Sequence, residues 1–276
     1  MLDFKVDAEK CIKCGACVAD CPVSIIKMEE GAFPEITKEE RCLRCQHCMA
    51  VCPVGAISIL GRKPEDCLPA PEKNEENSQW LKQLVRGRRS VRRYLAEDLS
   101  TEEVAELLDT AWHAPTGHND QTVRFSVVHG QEAMKAMKEE VYSNLAEVIG
   151  DKPRKDDPRY ALLGWAVSRW KKGMDAIFRD APNLLLAHAP KDAMTPLEDC
   201  LIAMTTFELA AQAAGLGTLW IGMGKWAIGE ICPGLKEKLG IPEDHVLGYA
   251  MIFGKPAVKY HRSVDRTPAP VHWVTK

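Results

Sequence analysis

A two-part α+β protein, with a small cysteine-rich module ahead of a larger domain whose central sheet is flanked by helices, is predicted by three features of this 276-residue chain. Eight of its 11 cysteines fall in two compact runs within the first 52 residues. A stretch rich in proline and charge and poor in apolar residues follows them. Beyond that stretch, short apolar runs alternate with segments of helical periodicity.

The totals bound the answer. Apolar residues make up 46% of the chain, enough for one good core plus a small appended domain. A formal net charge of -3 gives no general attraction to nucleic acid or to an anionic membrane. The opening MLDFKVDAEK mixes charges among few apolar residues, which fits neither a signal peptide nor a transit peptide. No run is apolar enough to span a bilayer, so a cytoplasmic protein with no membrane and no nucleic-acid partner is expected.

The cysteine module is an internal duplication: EKCIKCGACVADCPVSII is echoed by ERCLRCQHCMAVCPVGAI. Each copy carries three cysteines separated by two residues and then a Cys-Pro: Cys11, Cys14, Cys17 and Cys21-Pro22, then Cys42, Cys45, Cys48 and Cys52-Pro53. Three thiolates at that spacing wrap a loop around one corner of a cubane. The proline after the fourth turns the chain toward the other cubane. The pattern resembles the bacterial two-cluster ferredoxins and predicts two 4Fe-4S clusters in a ferredoxin-like domain over residues 1–62. The ligands are expected to cross, with Cys11, Cys14, Cys17 and Cys52 on one cluster and Cys42, Cys45, Cys48 and Cys21 on the other. Structural zinc also uses cysteine pairs with two intervening residues, but zinc sites usually come as separated pairs, whereas each run here supplies three plus one with proline. The scattered Cys67, Cys200 and Cys232 read as ordinary thiols.

Residues 63–78 read as a semi-extended linker to a second domain, 79–276. There, Ser100-Thr101-Glu102-Glu103 has capping-box spacing ahead of Val104, Leu107, Leu108, Ala111 and Trp112, predicting a helix that ends before Pro115. Phe125 to Gly130, Asn183 to Ala189, Gly217 to Gly222 and Leu247 to Phe253 are predicted strands of one sheet. Leu197 to Ala214 is predicted as a buried central helix, from the spacing of Leu201, Met204, Thr205, Glu208, Leu209 and Gln212 and a stop at Gly215. Residues 131–180, broken at Asp151-Lys152-Pro153 and Asp157-Pro158, are expected to leave the sheet and shape a substrate pocket or lid. Tyr160, Trp165, Arg169, Trp170 and Phe178 are candidates for an aromatic lid, although the same spacing suits plain helix packing.

Four blocks of the second domain together resemble the FMN-dependent nitroreductases. Gly87 to Tyr94, GRRSVRRY, places guanidinium forks and a hydroxyl at a helix end, which suits a phosphate, although charge alone equally describes a solvated basic helix end that favours the dipole. It is similar to that family's opening motif, and the resemblance implies that Arg88, Arg89, Ser90 and Arg92 contact the cofactor. Ala114 to Gln121, APTGHNDQ, resembles the family loop in which Asn119 and Gln121 would lie near the flavin; it continues with Thr122 and Val123 where the family commonly has proline and tryptophan. AAQAAGLGTLWIGMG resembles the helix-to-strand passage whose backbone approaches the ring, which implies roles for Gly217, Trp220, Ile221, Gly222 and Met223. The closing strand and basic tail imply a return to the phosphate through Arg266, with Lys259 and Arg262 as alternates. The resemblance further implies FMN as cofactor and a homodimer with FMN at the interface.

The function this predicts is an FMN oxidoreductase in which two clusters relay single electrons to or from the flavin and a small electron-poor acceptor, such as a nitroaromatic or quinone, is reduced. A reduced ferredoxin is a possible donor. The alternative is an electron-transfer adapter to a protein partner; an iron-sulfur sensor lacks a DNA-binding motif in support. No catalytic acid or base is assigned, and His113 and His118 read as structural or solvated.

Overall fold

The computed structural model describes residues 2–150, 156–232 and 234–275. The expected break at Asp151-Lys152-Pro153 lies outside them. The chain forms two compact units, one made of the described residues up to Lys73 together with His118–Asp120, the other of Asn74–Gly117 and Gln121 onward.

The N-terminal unit follows its duplicated sequence. Strand β1 (Lys5–Val6), helix α1 (Ala16–Ala19), strands β2 (Ile26–Lys27) and β3 (Glu35–Ile36), helix α2 (His47–Ala50) and strand β4 (Ile57–Ser58) make two antiparallel ribbons, β1 with β4 and β2 with β3. Corresponding residues of the two copies share left-handed backbone: Lys13 and Arg44 at φ 54° and 53°, then Gly15 and Gln46 at 75° and 60°. A glycine adopts that conformation freely, whereas Gln46 holds it with a side chain attached. Leu2, Ile25, Ile26, Met49, Ile57 and Ile59 form the small core.

The larger unit opens with α3 (Glu75–Gly87), capped by Asn74, so the last residues of the expected linker are helical. Helix α4 (Thr101–Trp112) begins in the expected capping box: Glu103 N–H donates to Ser100 Oγ at 3.1 Å, and Ser100 N–H to Glu103 Oε2 at 2.7 Å. It buries Val104, Leu107 and Ala111. Then follow β5 (Arg124–His129), α5 (Gln131–Ile149), α6 (Pro158–Trp170), β6 (Asn183–Pro190), α7 (Pro196–Ala213), β7 (Gly217–Trp220), α8 (Gly222–Trp226), α9 (Gly234–Lys238) and β8 (His245–Gly254). The four long strands form one antiparallel sheet in the order β5-β6-β8-β7. Period-two alternation sends Leu184, Leu186, Ala250 and Ile252 into one core with α5 and α6. Leu185, Ala187, Met251 and Phe253 enter a second core with α4 and α7.

Two expectations change. Helix α7 exists, but its buried side is Cys200, Ala203, Met204, Phe207, Glu208 and Ala211, while Leu201 and Thr205 of the predicted stripe are exposed. Its sequence is apolar on most sides, so periodicity does not define one face. Residues 131–149 and 158–170 are two helices packed on the sheet: Phe178 is fully buried, and Trp170 stacks on buried Tyr142 with ring centroids 4.4 Å apart. Core burial removes Phe178 from any lid, leaving Trp165 exposed with the Arg169 guanidinium 5.6 Å from its ring.

Candidate functional site

In the N-terminal unit, the eight clustered cysteines sort into two sets of four. Cys11, Cys14, Cys17 and Cys52 line one small pocket, and Cys21, Cys42, Cys45 and Cys48 line another. Each pocket takes three cysteines from one copy and the fourth from the other, which suits two groups of one kind. Apolar side chains complete both walls, Ile12, Val54 and Ile57 in the first and Ile25, Ile26 and Ile36 in the second. Backbone N–H groups are turned toward sulfur: Ala56 N–H donates to Cys52 Sγ at 3.2 Å and Arg44 N–H to Cys42 Sγ at 3.4 Å. Burial pushes the Cys48 thiol up to about 11 and raises that of Cys17, and a bound cationic metal would favour the thiolate form of both. The donor set therefore fits an iron-sulfur group. Cys200 and Cys232, also buried, are pushed up to about 12 and about 11 and lie apart in the larger unit's cores.

In the larger unit, an open cleft is lined by Val85, Arg86, Arg88 and Arg89 at the end of α3 and by Ser263 to Ala269 of the tail, including Arg266. Three of the expected phosphate contacts, Arg88, Arg89 and Arg266, thus share one cleft; Arg86 joins them, though the sequence motif did not single it out. Guanidinium groups gathered from two distant segments fit a phosphate monoester. Neither Lys259 nor Arg262, the alternates, is among the lining residues. Arg92 is exposed and turns its Nη1 to Ser90 O at 3.3 Å.

The arginine segment is fixed from below. Ser90 pairs with Thr218 of β7 in a parallel bridge, and Val91 N–H donates to Thr218 O at 2.9 Å. Gly217 makes this close approach possible, since a Cβ there would lie 2.6 Å from Val91. Arg88 Nη1 donates to Glu208 Oε1 at 3.1 Å, and Thr218 Oγ1 donates to the same oxygen at 3.1 Å. Glu208 is buried in a largely apolar helix; a carboxylate in the apolar stretch after the helix's acidic first turn is the signal that would have marked it.

The other expected contacts are distributed differently. Trp220 packs edge-on against Tyr249, with centroids 5.1 Å apart. Ile221 is buried in the core, and its N–H donates to Ala250 O at 2.9 Å, which takes that amide out of the set available to a flavin. Gly222 opens α8, where an added Cβ would meet Tyr249 Oη at 3.3 Å, and Met223 follows it, partly buried. Gln121 adopts φ 50° and its N–H donates to Thr116 Oγ1. Asn119 falls within the N-terminal unit, where its Nδ2 donates to Leu43 O at 3.0 Å.

A thiol-lined module and a basic cleft in a domain built on an antiparallel sheet are the two candidate sites of the chain. The Nitroreductase family model matches residues 85–255, more than half of the chain, and the chain belongs to that family. The model of the 4Fe-4S dicluster domain matches residues 10–56. A protein of Archaeoglobus fulgidus, provisionally named NADH dehydrogenase/NAD(P)H nitroreductase, is 26% identical over 192 residues, covering 68% of this chain and 94% of that protein. Among solved structures, a nitroreductase with bound FMN from Bacteroides fragilis has a TM-score of 0.58 at 20% identity, covering 74% of this chain and 100% of its own. Another nitroreductase with bound FMN, from Desulfitobacterium hafniense, has a TM-score of 0.54 at 24% identity, covering 73% and 100%. These likenesses show the fold of the larger unit. No helix among the described residues is long and apolar enough to cross a membrane.

Proposed function

We propose that the chain is an FMN enzyme whose two 4Fe-4S clusters exchange single electrons with the flavin, and that it reduces a small electron-poor acceptor such as a nitroaromatic or quinone. The observation that carries this reading is the division of eight thiols into two crossed sets of four, on a chain of the nitroreductase family. FMN is bound in both of the solved structures above. When bound, FMN supplies hydride or single-electron chemistry and the clusters supply single electrons.

The chain's own residues hold and tune these groups. Cys11, Cys14, Cys17 and Cys52 would ligate one cluster, and Cys21, Cys42, Cys45 and Cys48 the other, with the Ala56 and Arg44 amides donating to sulfur. Arg88, Arg89 and Arg266 would grip the FMN phosphate, with Ser90 and Arg92 beside it. Gln121, Trp220, Gly222 and Met223 would face the ring, while Ile221 contributes packing and Asn119 keeps its bond to Leu43 in the N-terminal unit. A homodimer is supported by apolar side chains left uncovered in the single chain: Leu197, Leu201 and Ile202 on α7, and Trp80, Leu81 and Val85 on α3. A cytoplasmic location suits the free thiols.

The test is anaerobic purification followed by assay of iron, acid-labile sulfide and flavin. The protein is then reduced with dithionite and offered a nitroaromatic, a quinone and a reducible ferredoxin in turn. Reoxidation by the small molecules is expected. Reoxidation by ferredoxin alone would make the protein an adapter, and colourless protein free of sulfide and flavin would end the proposal.

A further inference from the structure

We infer that Glu208 is a positioning residue: its buried carboxylate on α7 orients the Arg88 fork toward the phosphate of the bound nucleotide and so sets the preference for phosphorylated over unphosphorylated flavin. The inference rests on the reading above that Arg88 contacts the FMN phosphate, and it assigns to the central helix a part in cofactor choice.

Three observations converge on it. The Glu208 side chain is 8% exposed and that of Arg88 26%, so the pair is shielded from the water that weakens surface ion pairs. Only Nη1 of Arg88 is committed to Glu208, which leaves Nε and Nη2 of the planar fork for a second, bidentate acceptor. Arg88 also borders the cleft that holds Arg86, Arg89 and Arg266. Glu208 is itself held in place by the Thr218 hydroxyl, and Thr218 is the residue whose carbonyl receives the Val91 amide. One carboxylate therefore ties α7, β7 and the arginine segment into a single frame. An arginine left without that tether would sample many rotamers, and ordering it on binding would oppose affinity.

A role confined to packing predicts equal loss for any flavin, whereas orientation of a phosphate ligand predicts loss for FMN alone. The discriminating measurement is the dissociation constant for FMN and for riboflavin, by flavin fluorescence, on cluster-loaded protein freed of its flavin. With Glu208→Gln, which keeps the shape and an acceptor for Thr218, we expect FMN to bind about tenfold more weakly, the size of one charge-assisted hydrogen bond, with riboflavin unchanged. Equal weakening of both ligands, no weakening of either, or tighter FMN binding would overturn the inference. Arg88→Lys tests the underlying reading separately: a fall in FMN affinity with riboflavin unmoved supports the phosphate contact, and an unchanged ratio of the two removes it. The double variant closes the cycle, since a residue acting through Arg88 adds no further loss to Arg88→Lys, while a fully additive loss would show that Glu208 acts by another route.

Discussion

In the N-terminal unit the described buried apolar side chains are little more than Leu2, Ile25, Ile26, Met49, Ile57 and Ile59, gathered around two cavities ringed by sulfur. In the larger unit a four-stranded sheet separates two cores, and β6 is buried on both faces from Asn183 to Ala189. A domain with so small a core needs staples, and two clusters held by its cysteines would supply them. The larger unit owes its stability to packing. The comparison teaches that metal and core should fail independently. All seven tryptophans follow residue 74, so their fluorescence reports on the larger unit alone.

The sharpest way to break the comparison is to remove one ligand. Cys48→Ser is expected to halve the iron and acid-labile sulfide and to unfold the N-terminal unit on mild heating, because metal binding there is folding free energy. Hydrogen exchange should then show lost protection in β1 to β4, with the amides of β6 still protected. Joint loss in both units would show that they fold as one.

Core truncation is the converse. Phe253→Ala removes a fully buried ring packed edge-on against Phe207, with centroids 5.1 Å apart. It should lower the stability of the larger unit by about 3–5 kcal/mol in denaturant titrations followed by tryptophan fluorescence, with iron content unchanged.

Acid provides a third contrast. His188 is buried between Ser126 Oγ at 3.1 Å from its Nε2 and His245 Nδ1 at 2.8 Å from its Nδ1. Burial first, then the nearby His245, Arg124 and Lys236, pushes its pKa down to about 4. Because the folded value lies below the ordinary one near 6.5, the stability it brings is intact above about pH 6.5 and is lost as pH falls toward 4, when the unfolded chain binds the proton first. The loss amounts to about 3 kcal/mol across that window. A His188→Gln variant should flatten that part of the pH dependence of the fluorescence midpoint, and an unaltered slope would place the titration elsewhere.

The smallest effect is expected within the duplicated module. Gln46→Gly gives the second copy the residue that the first has at Gly15 and removes a left-handed strain of about 1–2 kcal/mol, offset in part by the freedom glycine adds to the unfolded chain. Cluster absorbance should survive slightly higher temperature, by less than about 1 kcal/mol in equivalent stability.

How legible each feature is in the amino-acid sequence tracks how local its cause is. The Cys-Pro runs, the capping box at Ser100 and the four long strands announce themselves through short-range spacing; the capping box forms where it is expected, while β7 stops at Trp220, short of the predicted Gly222. The arginine motif also points to the cleft that Arg88, Arg89 and Arg266 share, through a resemblance rather than a period. The parts that escape depend on partners distant in the chain. Arg86 lines the cleft only because the tail returns to it, and Glu208 matters only because Thr218 and Arg88 arrive beside it. Helix α7 hides its inward side because both sides are apolar, and the Ile221 amide, implied by the resemblance to lie near the ring, is instead bonded to the Ala250 carbonyl.

Strand β6 has a last consequence for how the chain finds its way home. Leucine and alanine occupy both of its faces, so sliding it by one residue would swap one oily set for another with little penalty from solvent. What forbids the slip is polar: the buried Asn183 amide accepts from Gly130 N–H at 3.1 Å and donates to Phe253 O at 3.3 Å, clamping the strand to both neighbours at once, while an irregularity at Ala187/His188 marks the other end. A single amide thus acts as the index mark of the sheet, and a chain without it would be prone to assemble out of frame.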